Sequence, residues 1–252
     1  MTAHVLRMKT QYEVKAMEQR TIRQLMLLGE DAMQKLENSH VAVFGLGGVG
    51  SWCAEALARS GIGTLTLIDQ DTVGESNINR QLCALDSTVG RSKAEVMADR
   101  VRDINPAIHV RPIVGSYCGE NREAFLADYD YVADAIDLVK NKVDLIKICT
   151  ERHIPIISAL GTGNKKDASL LSITDISKTH GCALARVVRK ELRNIGIEHL
   201  DVVFSPEEPM EPTQFEAPPP GRRSIPGSLV WVPATAGMLM CQKIVTELCR
   251  LR

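Results

Sequence analysis

Two stretches decide the fold: VAVFGLGGVGSW, residues Val41–Trp52, and TLTLIDQDTVGESNINRQ, residues Thr64–Gln81. The first reads as a buried strand, a glycine-rich turn and a helix start. Gly45, Gly47 and Gly50 give the spacing G-x-G-x-x-G directly after the apolar run. Such a turn lets backbone N–H groups and a helix N-terminus face phosphate oxygens. The second stretch is a strand closing in Asp69, at the distance expected of an acid that hydrogen-bonds a ribose hydroxyl. On these features alone, a nicotinamide-dinucleotide dehydrogenase would be a sufficient reading.

The residues that follow point away from hydride transfer. Asp71, Asn77, Arg80 and Gln81 lie on the loop after the second strand. Lys93 opens the next helix in GRSKAEVMADRVRDINP, Gly90–Pro106. Converging Arg and Lys side chains suit a polyphosphate, whose charge must be neutralised and whose leaving group must be stabilised. YVADAIDLVKNK, Tyr131–Lys142, reads as a buried strand running into a helix. Asp137 then falls at the carboxyl edge of the sheet, where ligands of open α/β folds bind. A single carboxylate among phosphates makes sense as a magnesium ligand.

These segments resemble the adenylation domain of the ubiquitin-activating-type enzymes, a superfamily that includes activators of sulfur-carrier proteins. The resemblance runs from about Gln19 to Gly161 and rests on GLGGVG, IDQDTVGESNINRQ, the Lys93 position and DAID. Upstream, RTIRQLMLLGEDAMQKLENSHVAVFG, Arg20–Gly45, resembles the family's leading helix, with Arg23 at its arginine. The resemblance implies that Gly45, Gly47 and Gly48 approach the phosphates and that Asp69 binds the ribose. It implies that Asn77, Arg80 and Lys93 contact the phosphates, that Asp137 holds Mg2+, and that Arg23 reaches the ATP of the other subunit of a homodimer. Arg23, Arg80, Lys93 and Asp137 would then carry catalysis, with Asp71 and Gln81 completing the ATP site. The implied chemistry is attack of a carboxylate on the α-phosphate, with loss of pyrophosphate.

The second half narrows the resemblance. LLSITDISKTHGCALARVVRKELRNIGI, Leu170–Ile197, together with WCAEALARSGIG, Trp52–Gly63, is similar to the tRNA threonylcarbamoyladenosine dehydratases. The resemblance implies ATP and tRNA as substrates and leaves room for a monovalent cation and a sulfur-transfer-type accessory protein. One departure stands out: some members carry a cysteine where this chain reads GRRSIPGSLVWVPATAG, Gly221–Gly237. The competing reading is an activator of a ubiquitin-like or sulfur-carrier protein C-terminus. Such activators usually hold zinc on two C-x-x-C pairs, and none of the seven cysteines here has that spacing, which excludes a structural zinc of that form. Cys182, at an expected helix start that would lower its pKa, is the one cysteine kept as a reactive candidate.

Apart from any resemblance, Arg186, Arg189, Lys190 and Arg193 follow i, i+3, i+4, i+7 spacing and form one stripe of an expected helix. Leu184, Val187, Val188, Leu192 and Ile195 would face the core. Like charges on one face suggest an anionic partner such as an RNA backbone. Lys178, Arg222 and Arg223 are further tRNA-binding candidates, and Lys165 and Lys166 could extend the patch. With a formal net charge of −1, any such patch is local, and with 4% aromatic residues base stacking is not extensive.

The expected fold is α/β: a Rossmann-like sheet, parallel in its first part and mixed or antiparallel in its last, with flanking helices. The 252 residues, 44% of them apolar, suffice for a single domain with a nucleotide-binding part at about 19–161 and a tRNA-facing part at about 162–252. A leading helix is expected over Tyr12–Glu37, and a strand over Leu229–Val232 before a last helix from Ala234 to Leu251. Pro206 to Gly221 holds six of eleven prolines and reads as an irregular loop. No stretch reaches the roughly 20 apolar residues of a membrane span. An odd cysteine count and the lack of an export signal point to a reduced, cytoplasmic protein.

Overall fold

In the computed structural model, which describes residues 19–218 and 224–251, seven strands form one sheet. In chain order these are β1 (His40–Phe44), β2 (Thr64–Asp69), β3 (His109–Val114), β4 (Tyr131–Asp134), β5 (Ile156–Ala159), β6 (Ser172–Asp175) and β7 (Asp201–Phe204). The spatial order is β3-β2-β1-β4-β5-β7-β6. All neighbours pair parallel except β6, which runs antiparallel to β7 at the edge. Six parallel strands and one antiparallel edge strand match the expected division.

The helices among the described residues are α1 (Ile22–Leu28), α2 (Glu30–Glu37), α3 (Gly50–Arg59), α4 (Lys93–Ile104), α5 (Val139–Glu151), α6 (Ala183–Asn194) and α7 (Trp231–Leu248). Alternation along β1 divides them between the two faces. Val41 and Val43 pack with Leu36, Leu57, Met97 and Met240, from α2, α3, α4 and α7. Ala42 and Phe44 face an aromatic layer of Tyr117, Phe125 and Tyr129 and the inner side of α5. A third cluster joins α5, α6 and β7 through Ile146, Val188, Leu192 and Val202. Because α7 returns from the end of the chain to lie against α3, the two expected parts share one sheet and one apolar layer.

Two expected elements differ. The leading helix is two helices: Gly29, at φ +78°, ends α1 and starts α2, a left-handed conformation that interrupts helical geometry. Residues 12–18 of that expected helix lie outside the described residues. The expected strand at Leu229–Val232 is instead the approach to α7, which begins at Trp231. The branched run Leu-Val-Trp-Val reads locally as a strand. However, Pro233 falls in the first turn of α7, where proline's missing N–H costs the helix nothing.

Candidate active site

Strand order reverses between β1 and β4, since the chain leaves β1 towards β2 and β3 and later returns to β4 on the other side. That is where an open parallel sheet leaves a crevice at its carboxyl edge. A cleft of about 1000 Å³ occupies it, lined from Asp69 past the glycine turn and Asp137 to Gly161 and Lys165. The glycine turn is built for close approach. Gly45 has φ +87°, and a Cβ there would meet the Ala135 carbonyl oxygen at 2.7 Å. A Cβ on Gly50 would meet the Gly45 carbonyl at 1.7 Å, so helix α3 can start this close to β1 only with glycine. Gly47, in contrast, has open space on its Cβ side, with the Gln81 amide nitrogen 3.9 Å away as the nearest atom. No side chain caps the N-terminus of α3, and in its first turn the Ser51 amide is taken by the Gly47 carbonyl at 3.1 Å.

Asp69 ties the turn to the following loop. Its Oδ2 accepts the Leu46 amide at 2.6 Å and its Oδ1 accepts the Asp71 amide at 2.8 Å. Each oxygen keeps a lone pair for a further donor. Beyond it, Lys93 is buried at the start of α4, and its Nζ donates to Asp71 Oδ2 at 3.1 Å. The Lys93 backbone amide also bonds the Asp71 carbonyl, at 3.0 Å. The ammonium is thus aimed by a partly solvated acid and not left to wander. Arg80 is steered by bonds from Nη1 to the Ser76 carbonyl and to Asn79 Oδ1, and its own carbonyl accepts the Trp52 indole N–H. Asn77 accepts the Gly74 amide, and Gln81 is buried. Asp71, Asn77, Arg80, Gln81 and Lys93 all line the cleft.

Asp137 lies just past β4, exposed, in the same cleft, and makes no hydrogen bond or ion pair with any described residue. No group of three or more His, Cys, Asp or Glu side chains comes together among the described residues. A divalent ion held mainly by substrate phosphates and one carboxylate suits magnesium, which keeps several waters and needs no all-protein cage. Asp137 fits that donor set.

Beneath Asp137 is a feature that motif reading missed. Asp134, two residues after Val132 and fully buried, pairs with the fully buried Lys142 of α5 at 2.6 Å. It also accepts the Ser158 hydroxyl of β5 at 2.6 Å and the Ile136 amide at 3.0 Å. The loop carrying Asp137 is therefore fastened to β5 and α5 by one carboxylate. The signal was present in the sequence as an acid inside an otherwise apolar strand, eight residues before a lysine.

Other expected site residues are dispersed. Arg23 is exposed on α1 and does not line the cleft; Met26 and Leu27 beside it are 70% and 86% exposed. Cys182 is buried at the N-cap of α6 and forms part of the cleft wall. The basic stripe divides. Arg186, Lys190 and Arg193 lie toward solvent, as does Lys178. Arg189 is turned inward, and its Nη1 donates to the Thr179 carbonyl at 2.7 Å and to the Thr179 hydroxyl. It holds the turn after β6 and is not part of a free anion-binding face. Val187 and Ile195, expected in the core, are each 42% exposed; Ala185, Val188 and Leu192 make the buried face. A helix this short offers about three buried positions to one packing partner, so the ends of the apolar arc stay in solvent. Lys165, expected at the surface, is buried at 3% exposure. Arg222 and Arg223 lie outside the described residues.

The chain belongs to the ThiF family, whose model matches residues 19–251. It is 44% identical over 232 residues to the tRNA threonylcarbamoyladenosine dehydratase of Bacillus subtilis, covering 88% of this chain and 91% of that protein. It is also 44% identical to the Escherichia coli enzyme of the same name over 169 residues, 67% of this chain and 63% of that one. The crystal structure of the E. coli tRNA N6-threonylcarbamoyladenosine dehydratase TcdA in complex with ATP superposes with a TM-score of 0.83 at 37% identity, covering 92% of this chain and 94% of that one.

Proposed function

We propose that this protein is an ATP-dependent tRNA threonylcarbamoyladenosine dehydratase. The observation that carries the reading is extent: similarity to proteins of that name runs through both the nucleotide end of the cleft and the second half that would meet the acyl substrate.

In the proposed reaction, ATP lies along the cleft with its ribose at Asp69 and its phosphates over Gly45, Gly47 and Gly48. Asn77, Arg80 and Lys93 contact the phosphates, and Gln81 and Asp71 support them. Asp137 would hold Mg2+, which supplies charge neutralisation at the phosphates when bound. A threonine carboxylate oxygen attacks the α-phosphorus and the bond to the bridging oxygen breaks, releasing pyrophosphate. Arg80 and Lys93 stabilise the charge that develops on the phosphoryl and leaving oxygens. The carbamoyl nitrogen then bonds to the activated carbonyl carbon as the carbon–oxygen bond to AMP breaks, and the nitrogen loses its proton. The sum is loss of one water from the nucleoside as ATP becomes AMP and pyrophosphate. Every nucleophile belongs to the substrate, so the protein's task is orientation and charge stabilisation.

The exposed Arg23, Met26 and Leu27 on α1 support a homodimer in which Arg23 completes the partner's site. Lys178, Arg186, Lys190 and Arg193 are the proposed tRNA contacts, and the site of action is the cytosol. The test is mass analysis of nucleosides after incubation with ATP, Mg2+ and tRNA bearing threonylcarbamoyladenosine. The modified nucleoside should lose the mass of one water only when ATP is present. An unchanged nucleoside, with folded protein that binds ATP, would refute the reading and turn attention to a protein C-terminus as the carboxylate.

A further inference from the structure

The far end of the cleft contains a cation with no carboxylate at ion-pair distance among the described residues. Lys165 follows the turn after β5 and is buried at 3% exposure, yet lines the cleft. Its Nζ donates to two main-chain carbonyls, of Ser205 at 2.6 Å and Glu207 at 3.0 Å. No acid lies within ion-pair distance among the described residues. Two acidic groups act on it from further off, the Cys182 thiol and the Glu207 carboxylate, and that carboxylate is occupied by the backbone amides of Lys166 and Asp167. Burial depresses the ammonium's pKa. Lysine is rarely buried unless paired, and two carbonyls ask only for neutral donors. An ammonium also has a third N–H.

The surroundings hold this cation still. Asn164, at φ 60°, exchanges backbone bonds with Gly227 and Met210, and its side-chain oxygen accepts the Gly227 amide at 2.6 Å. Trp231 donates its indole N–H to the Lys166 carbonyl at 2.7 Å. In sheet order the cleft passes from Asp69 on β2, over the glycine turn after β1 and Asp137 after β4, to Lys165 after β5. Lys165 therefore lies across the phosphate-binding turn from the ribose acid, on the side left for the second substrate.

We propose that Lys165 is the subsite for the carboxylate of the acyl substrate, which enters as the missing counter-charge and is held there until it attacks the α-phosphate. The inference rests on the proposed dehydratase reading, and it assigns that reading's substrate a recognition residue. It also gives a reason why the site would select an anionic acyl group: a neutral ester would leave the buried charge unmatched.

The experiment compares binding of an anticodon stem-loop bearing threonylcarbamoyladenosine, the same stem-loop with its carboxylate methyl-esterified, and the unmodified stem-loop, each with a non-hydrolysable ATP analogue and Mg2+. Wild-type protein should favour the free carboxylate over the ester by about 10- to 100-fold, as for a hydrogen bond to a charged group. Lys165→Gln retains N–H donors for the two carbonyls and should abolish that preference without weakening the ATP analogue. A preference retained in the variant overturns the assignment. A loss of nucleotide affinity instead would move the cation to the polyphosphate and overturn it too. If wild-type protein binds all three stem-loops equally, the dehydratase reading itself fails and this inference with it. Should Lys165→Gln not fold, the wild-type complex with the stem-loop and the analogue decides by crystallography: the carboxylate within hydrogen-bond distance of Lys165 Nζ, as expected, or bound elsewhere, which overturns the assignment.

Discussion

The two ends of the cleft use charge in opposite ways. At the nucleotide end, cations are aimed by nearby partners that stay partly in water: Lys93 is buried but its acid, Asp71, is 57% exposed, and Arg80 leans on a carbonyl and an amide. At the far end the hydrogen bonds of buried Lys165 go to two carbonyls, with no carboxylate at ion-pair distance among the described residues. The first arrangement tolerates an arriving polyphosphate with little rearrangement, because screened pairs are weak and easily exchanged. The second lacks a carboxylate partner, and in the proposed assignment the substrate supplies one. The same contrast separates Asp137, exposed and unbonded, from Asp134, fully buried and fully bonded beneath it.

Breaking the contrast at its buried member should have the largest effect. Lys142→Met leaves the Asp134 carboxylate buried without its counter-charge and should cost about 3–5 kcal/mol of stability in urea unfolding; a decrease below about 1 kcal/mol would mean that water reaches the pair. Asp137→Ala should instead leave unfolding unchanged and lower substrate-dependent pyrophosphate exchange by about 10²–10³-fold. Normal exchange by that variant would remove Asp137 from the phosphate site.

The basic helix α6 sharpens the comparison further. Replacing Arg186, Lys190 and Arg193 together by Gln should make tRNA binding less sensitive to salt, by about one unit of slope for each phosphate left unneutralised. Arg189→Ala should leave that slope alone and lower stability by about 1–2 kcal/mol, since it frees the Thr179 turn. Equal slopes in all the variants would place the RNA elsewhere.

The smallest effect is expected far from the cleft. Glu55 on α3 is buried; burial pushes its pKa up, but hydrogen bonds from Arg100 and Arg59 outweigh this and hold it below the usual carboxylate value. Its folded pKa is depressed, so its contribution is complete above the ordinary glutamate pKa and is lost as pH falls through the folded value. Acid unfolding of Glu55→Gln should accordingly show a shallower decline in that window than wild-type protein.

Legibility followed the range of the forces involved. β1, β2 and α4 are readable, because the apolar run, the glycine turn and a helix-stopping Pro106 two residues past Ile104 are local signals. That the candidates from Gly45 to Lys93 share one cleft is readable for the same reason: one strand–turn–helix unit and one loop carry them. Helix α6 is located by its period, but period alone cannot say which arc meets the core. The Arg189 partner lies ten residues away on a turn whose position depends on β6 pairing with β7. Lys165 looks like a surface charge in the sequence because its acceptors, on Ser205 and Glu207, are 40 or more residues distant in the chain. The start of α7 looks like a strand because branched residues read alike in a strand and in the first turn of a packed helix.

The central claim is that a substrate carboxylate is activated by adenylation. Threonylcarbamoyladenosine in tRNA, with its threonine carboxylate labelled with heavy oxygen, tests it directly. If the carboxylate attacks the α-phosphorus and ring closure breaks the acyl carbon–oxygen bond, one labelled oxygen must appear in the phosphate of AMP and none in pyrophosphate. Dehydrated nucleoside formed alongside unlabelled AMP would contradict the account, because some other atom would then have met the phosphate.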